Sequence, residues 1–159
     1  MKTIVVYYSM GGNTAFAAER IAGILGADML RLMPEKAYPS SGFRKFFRGG
    51  KSAVMAETPA LLPYGFDAAA YDRVIIGFPV WAGNVTPPIR TFLKENDLSG
   101  KQVAAFACQS GSGAEKAFGK LEECAGIDDL DATLVLIDPK TKPAAENERK
   151  IQQFCDSLR

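Results

Sequence analysis

Residues 7–22, YYSMGGNTAFAAERIA, begin as the end of an apolar strand and pass through six uncharged residues, Ser9 to Thr14, into a run of helical character. Ala17, Ala18, Ile21, Ile24 and Leu25 recur at helical spacing, and Gly26 is placed to stop the helix. Working outward, apolar runs of strand length occur at Thr3–Tyr8, Met29–Leu32, Val74–Phe78, Gln102–Cys108 and Thr133–Ile137. Helical patterns lie between them. Thr86 with Pro87 and Pro88 opens one through Ile89, Phe92 and Leu93, because proline suits a first turn. Ser112 and Glu115 have capping-box spacing for another through Phe118 and Leu121, ending near Gly126. A last helix carries Ile151, Phe154, Cys155 and Leu158 on one face.

Strands alternating with helices predict an α/β fold: a doubly wound parallel sheet of five strands with helices on both faces. The right-handed crossover rule fixes the connections. Residues 33–71 are too long for an ordinary connection, so they predict an excursion with some structure of its own, including a short helix within Gly50–Ala56. No linker or repeat divides the 159 residues, and 1–159 are expected to form one domain.

Composition narrows the chemistry. With 47% apolar and 23% charged residues the chain can bury a core, which excludes a disordered protein. The absence of histidine removes the commonest general base and metal ligand. Cys108, Cys124 and Cys155 lack metal-ligand spacing and are expected as reduced thiols, with no metal site. A net charge of +1 provides no field for nucleic acid. No apolar run is long enough to cross a bilayer and no secretory cleavage signal follows MKTIVVYYSM, so a cytoplasmic location is expected.

In open α/β sheets ligands bind beyond the carboxyl ends of the strands. The loops there are Ser9–Thr14, Pro79–Asn84 and Gln109–Gly113, and together they contain no Asp, Glu, Lys or Arg. Acid–base catalysis and carboxylate-held metals both require such groups. The first loop instead offers amide N–H groups and hydroxyls at a helix start, from Ser9, Met10, Gly11, Gly12, Asn13 and Thr14, which suit a terminal phosphate. The same residues also suit a plain helix cap and turn. The second loop tips the reading. Pro79, Val80, Trp81, Ala82, Gly83 and Asn84 bring the single tryptophan of the chain to a strand end, where it can stack on a planar ring. Cys108, Gln109, Ser110, Gly111 and Gly113 form a third small, flexible loop suited to presenting N–H groups to a heterocycle, with Cys108 read as a small buried residue rather than a redox thiol.

An anion loop and an aromatic on one sheet edge describe a site for a phosphorylated planar cofactor. Over nearly its whole length the chain resembles the flavodoxin-like FMN-binding proteins, in the phosphate loop Ser9-Met10-Gly11-Gly12-Asn13-Thr14 and in the ring loop Pro79 to Asn84. Ser9, Gly12 and Thr14 match the family pattern, and Gly11 departs from it where a hydroxyl is usual. The resemblance implies strand order 2-1-3-4-5, the topology of short-chain members, and FMN held by all the loop residues named above. It implies chemistry carried by FMN rather than by catalytic side chains. It also implies that the Gly83 carbonyl turns toward flavin N5 on reduction, with Asn84 near the same edge.

The function expected is that of an FMN-dependent redox protein, a small NAD(P)H- or quinone-type reductase. Carriers of this family are usually strongly acidic, this chain is near neutral, and its third loop lacks an aromatic to cover the flavin. The alternatives are a flavodoxin carrying electrons between a reductase and a redox partner protein, and a non-catalytic FMN-binding or interaction module. The segment SGFRKFFRGGK, residues 41–51, interleaves Phe43, Phe46 and Phe47 with the basic Arg44, Lys45, Arg48 and Lys51, and suits either a lid over the flavin meeting NAD(P)H phosphates or an acidic partner, or a solvated helix whose phenylalanines pack on the sheet. A receiver domain would need an Asp where Pro79 stands, and a small tyrosine phosphatase a Cys in the first loop.

Overall fold

The computed structural model describes residues 1–38, 56–142 and 144–159. Five strands, β1 (Thr3–Tyr7), β2 (Asp28–Arg31), β3 (Arg73–Pro79), β4 (Gln102–Gln109) and β5 (Thr133–Ile137), form one parallel sheet in the order β2-β1-β3-β4-β5. Among the described residues the α-helices are α1 (Asn13–Leu25), α2 (Pro87–Glu95), α3 (Ala114–Ala125) and α4 (Ala145–Ser157). This is the doubly wound parallel sheet expected from the alternation of strands and helices, in the strand order that the resemblance implied.

The alternation of side chains along each strand sorts the core into two layers. Val5 and Tyr7 of β1, with Ile75, Phe106 and Leu136, face Ala17, Ala18 and Ile21 of α1 and Ile151, Phe154 and Cys155 of α4. Ile4, Val6 and Tyr8, with Val74, Ile76 and Phe78, face Ile89, Phe92 and Leu93 of α2 and Phe118 and Leu121 of α3. Phe78, Phe92 and Phe106 are wholly buried. At about 25 cal/mol per Å² of apolar surface, each such side chain favours the fold by roughly 1.5–3 kcal/mol before entropy is counted.

Several boundaries differ from the sequence expectation. β2 begins one residue earlier and is the exposed edge strand, although Leu32 beyond it still donates to the Tyr7 carbonyl at 2.8 Å. The capping box expected of Ser112 and Glu115 does not form: α3 is capped by Gly113 at φ 107°, and the Gln109 side chain takes the Ala114 N–H at 3.1 Å instead. Thr86, Pro87 and Pro88 do open α2.

The two ends of the 33–71 excursion are tied by an antiparallel bridge between Pro34 and Leu61, with Glu35 donating to Ala60 at 2.9 Å and Leu62 to Met33 at 2.7 Å. The returning end is fastened to α2, where Thr91 Oγ1 donates to the Pro59 carbonyl at 2.7 Å and the Tyr64 hydroxyl to Glu95 at 2.8 Å. A 3-10 turn at Ala68–Ala70, capped by Asp67, leads into β3. The basic and aromatic segment 41–51 lies outside the described residues, as does the expected short helix within Gly50–Ala56 apart from Ala56 itself.

Candidate functional site

The switch in strand order falls between β1 and β3, and at the carboxyl ends of these strands lies a cleft of about 190 Å³. Its first wall is the loop from β1 to α1. Ser9 is buried, and its hydroxyl accepts from the Ala15 N–H at 3.1 Å, folding the loop over the start of α1. Gly12 caps the helix at φ 92°, a backbone angle that favours glycine, and its carbonyl accepts the Phe16 N–H at 2.9 Å. Among the described residues the Asn13 and Thr14 N–H groups find no acceptor. Two amide N–H groups at the positive end of α1 are therefore left without an acceptor, on residues that line the cleft.

The second wall is Pro79 to Ala82. Trp81 and Asn84 close a tight turn in which the Asn84 N–H donates to the Trp81 carbonyl at 3.0 Å, with Ala82 at φ 52° and Gly83 at φ 66°. Two successive positive φ values make it a turn of the I′ kind. The Trp81 ring meets Tyr8 edge-on at 5.7 Å and Tyr38 at 5.1 Å between centroids, so the aromatic at the mouth is braced by two others. Asn84 is buried beneath the turn and accepts from Arg90 Nη2 of α2 at 3.2 Å, while Arg90 Nη1 reaches Cys124 Sγ at 3.0 Å. Arg90 thereby ties the loop after β3 to α2 and α3.

Cys108, Gln109 and Ser110 supply the third wall. Burial pushes the Cys108 thiol up to about 12, against a smaller opposing hydrogen bond from Thr14, so it stays protonated and is not a nucleophile at neutral pH. Burial likewise raises the Tyr8 hydroxyl to about 12, with Tyr38 adding to the shift. Gly113 packs against the second wall, and a Cβ there would stand 2.9 Å from Gly83 Cα.

Of the residues singled out in the sequence, Ser9, Met10, Gly11, Asn13, Thr14, Pro79, Val80, Trp81, Ala82, Cys108, Gln109 and Ser110 line one cleft. Gly12 lines the neighbouring groove, beside loop 9–14. Gly83, Asn84, Gly111 and Gly113 stand behind or beside the walls rather than on them.

Charged residues outside the three loops also stand at or beside the cleft. Asp138, just past β5, lines the cleft and accepts from the Ser110 hydroxyl at 2.9 Å. Lys140 follows it, its backbone N–H bonded to Asn13 Oδ1 at 2.9 Å. From the end of β2, Arg31 donates to the Ser9 carbonyl at 3.1 Å. The loop after the fifth strand ends at the same sheet edge as the other three, and that register is the signal that would have found Asp138 and Lys140.

A family model described as Flavodoxin matches residues 2–147. Among solved crystal structures, a Bacteroides uniformis protein assigned as a flavoprotein superposes with a TM-score of 0.78 at 28% identity, covering 96% of each chain. A flavoprotein in complex with FMN from Lactobacillus acidophilus gives a TM-score of 0.74 at 22% identity, over 94% of this chain and 97% of that one. Oxidised Flavodoxin 2 from Bacillus cereus gives 0.65 at 20% identity, over 99% of this chain and 97% of that one. The latter two are likenesses of fold.

Proposed function

This chain belongs to the flavodoxin family, and on that premise we propose that it binds FMN in the cleft at the carboxyl edge of the sheet and acts as a small NAD(P)H- or quinone-type reductase. The observation that carries the FMN reading is the pair of N–H groups of Asn13 and Thr14, without acceptors among the described residues, opening into a cleft walled by Trp81, Val80 and Pro79. Such a donor set fits a phosphate dianion, and such walls fit a planar ring.

Bound FMN supplies the redox chemistry, taking up and releasing electrons. The chain's own part is binding and orientation. The hydroxyls of Ser9 and Thr14 and the first-turn amides of α1 hold the phosphate end. Trp81, braced by Tyr8 and Tyr38, fixes one side of the ring site, and burial keeps Cys108 protonated and inert beneath it. Gly83 sits beside the cleft in a turn with positive φ, where a peptide can reorient its carbonyl without moving a side chain.

The reductase reading rests on a net charge of +1 and on a third loop, Gln109–Gly113, with no aromatic to cover the ring site, which leaves room for a nicotinamide or quinone. A second reading, an electron carrier between protein partners, is favoured by the family match itself. The experiment is to add FMN to the purified protein, record the visible spectrum, and then add NADPH or NADH without oxygen. A bound-flavin spectrum that bleaches rapidly is expected. Bleaching only when a separate reductase is supplied identifies the carrier. Bound flavin that neither route reduces identifies a non-catalytic module, and the absence of bound flavin overturns the FMN reading.

A further inference from the structure

Two cations flank the outer side of the phosphate loop, in the groove next to the cleft: Arg31 and Lys140 line it with Gly11, Gly12 and Glu19. Lys140 is the closer to the start of α1. Its ammonium lies 2.8 Å from the point where a Cβ on Gly12 would stand, directly over the loop backbone. The loop that carries it is fixed from both sides. The Lys140 N–H is held by Asn13 Oδ1 at 2.9 Å, and the Lys142 N–H donates to the Asp138 carbonyl at 2.7 Å.

The neighbouring acid does not neutralise it. The Asp138 carboxylate is shared between the Ser110 hydroxyl and the Lys142 ammonium, the latter at 3.6 Å. None of the ion pairs among the described residues includes Lys140. The first turn of α1 carries no acid either. An ammonium held beside the positive end of a helix, with no ion-pair partner among the described residues and Glu19 as the acid that shares its groove, gains when an anion sits between it and the helix start. The anion loop lies there, and it is the loop in which Gly11 provides no hydroxyl.

We propose that Lys140 is the residue by which this chain selects a phosphorylated flavin: its ammonium neutralises the terminal phosphate seated in loop 9–14, in place of the hydroxyl that Gly11 lacks. The proposal rests on the FMN reading above and adds a source of specificity to it. Riboflavin, which has the same ring and ribityl chain without the phosphate, gains nothing from Lys140.

The test is to titrate the wild-type apoprotein, K140Q and K140R with FMN and with riboflavin, following flavin fluorescence at low salt and at a salt concentration high enough to screen exposed charges. Lys140 is exposed, so neither substitution disturbs the core. K140Q is expected to weaken FMN about tenfold at low salt, the scale of one charge-assisted hydrogen bond. It should leave riboflavin unchanged and flatten the salt dependence of FMN binding, and K140R should keep most of the wild-type affinity. Unchanged FMN affinity and salt dependence in K140Q overturn the proposal, and so does an equal loss for both flavins. Wild-type protein that binds no FMN overturns the FMN reading itself, which separates the two failures.

Discussion

Gly113, behind the cleft, is where the third loop packs against the turn of the second. Its φ of 107° lies outside the range an L side chain adopts comfortably, and a Cβ would stand 2.9 Å from the backbone of Gly83. Neither partner can give by rotating a side chain. We expect Gly113→Ala to cost about 2 kcal/mol or more, from backbone strain plus separation of the loops, read as a lower urea midpoint with an unchanged m-value. The loops frame the proposed ring site, so FMN affinity should fall in the same variant. Gly83→Ala is milder, because its nearest neighbour is Cδ of Lys116 at 3.3 Å, a flexible chain that can move.

Between elements, the register of β3 against β4 places Gly77 opposite Phe106, and the Phe106 ring occupies the space where a Gly77 side chain would be. Phe106 is wholly buried in the layer under α1 and α4, so the ring has nowhere to go. Gly77→Ala should destabilise by about 2–3 kcal/mol through overpacking. In the double variant with Phe106→Leu the two costs should fall short of their sum, and strict additivity in denaturant titrations would show that the contact is not the cause. The sequence displays Gly77 only as a glycine inside an apolar strand, a mark of close approach without the identity of what approaches. Pairing supplies that identity. The cap of α3 is similar: Ser112 and Glu115 have the right spacing, yet Gln109 at the end of β4 already reaches the Ala114 N–H, so a strand-end side chain replaces the local cap.

For the whole molecule, the thiols report how burial is distributed. Cys108 and Cys155 are buried and raised to about 12 and about 11, whereas Cys124 is half-exposed. Ellman's reagent at neutral pH should therefore modify Cys124 alone in the folded chain and all three thiols in urea. Rapid modification of Cys108 would mean that its layer opens. The same shifts set a pH trend. Cys108 and Cys155 ionise from an ordinary 9.0 in the unfolded chain, and Tyr8, raised to about 12, from 10.0. Their contribution to stability is complete below about pH 9. Above it the unfolded chain loses protons first, so stability should fall progressively toward pH 12 in denaturant titrations.

Local pattern in the sequence was sufficient for the five strands and the four described helices, because period-two and helical apolar spacing are written into neighbouring residues and the apolar faces must be buried against one another. It also placed loops 9–14 and 79–84 at the carboxyl ends of the strands, where twelve of the residues expected at the site line one cleft. What only the tertiary structure decided is the charge around that cleft. Arg31 ends the edge strand β2 and Lys140 follows β5 at the opposite edge, and neither carries a local signal that sets it apart from other surface cations. Their sharing of one groove beside loop 9–14 depends on strand order and on a loop folding back across the sheet edge. Electrostatic neighbours are chosen by distance in space, and a one-dimensional pattern does not contain that distance.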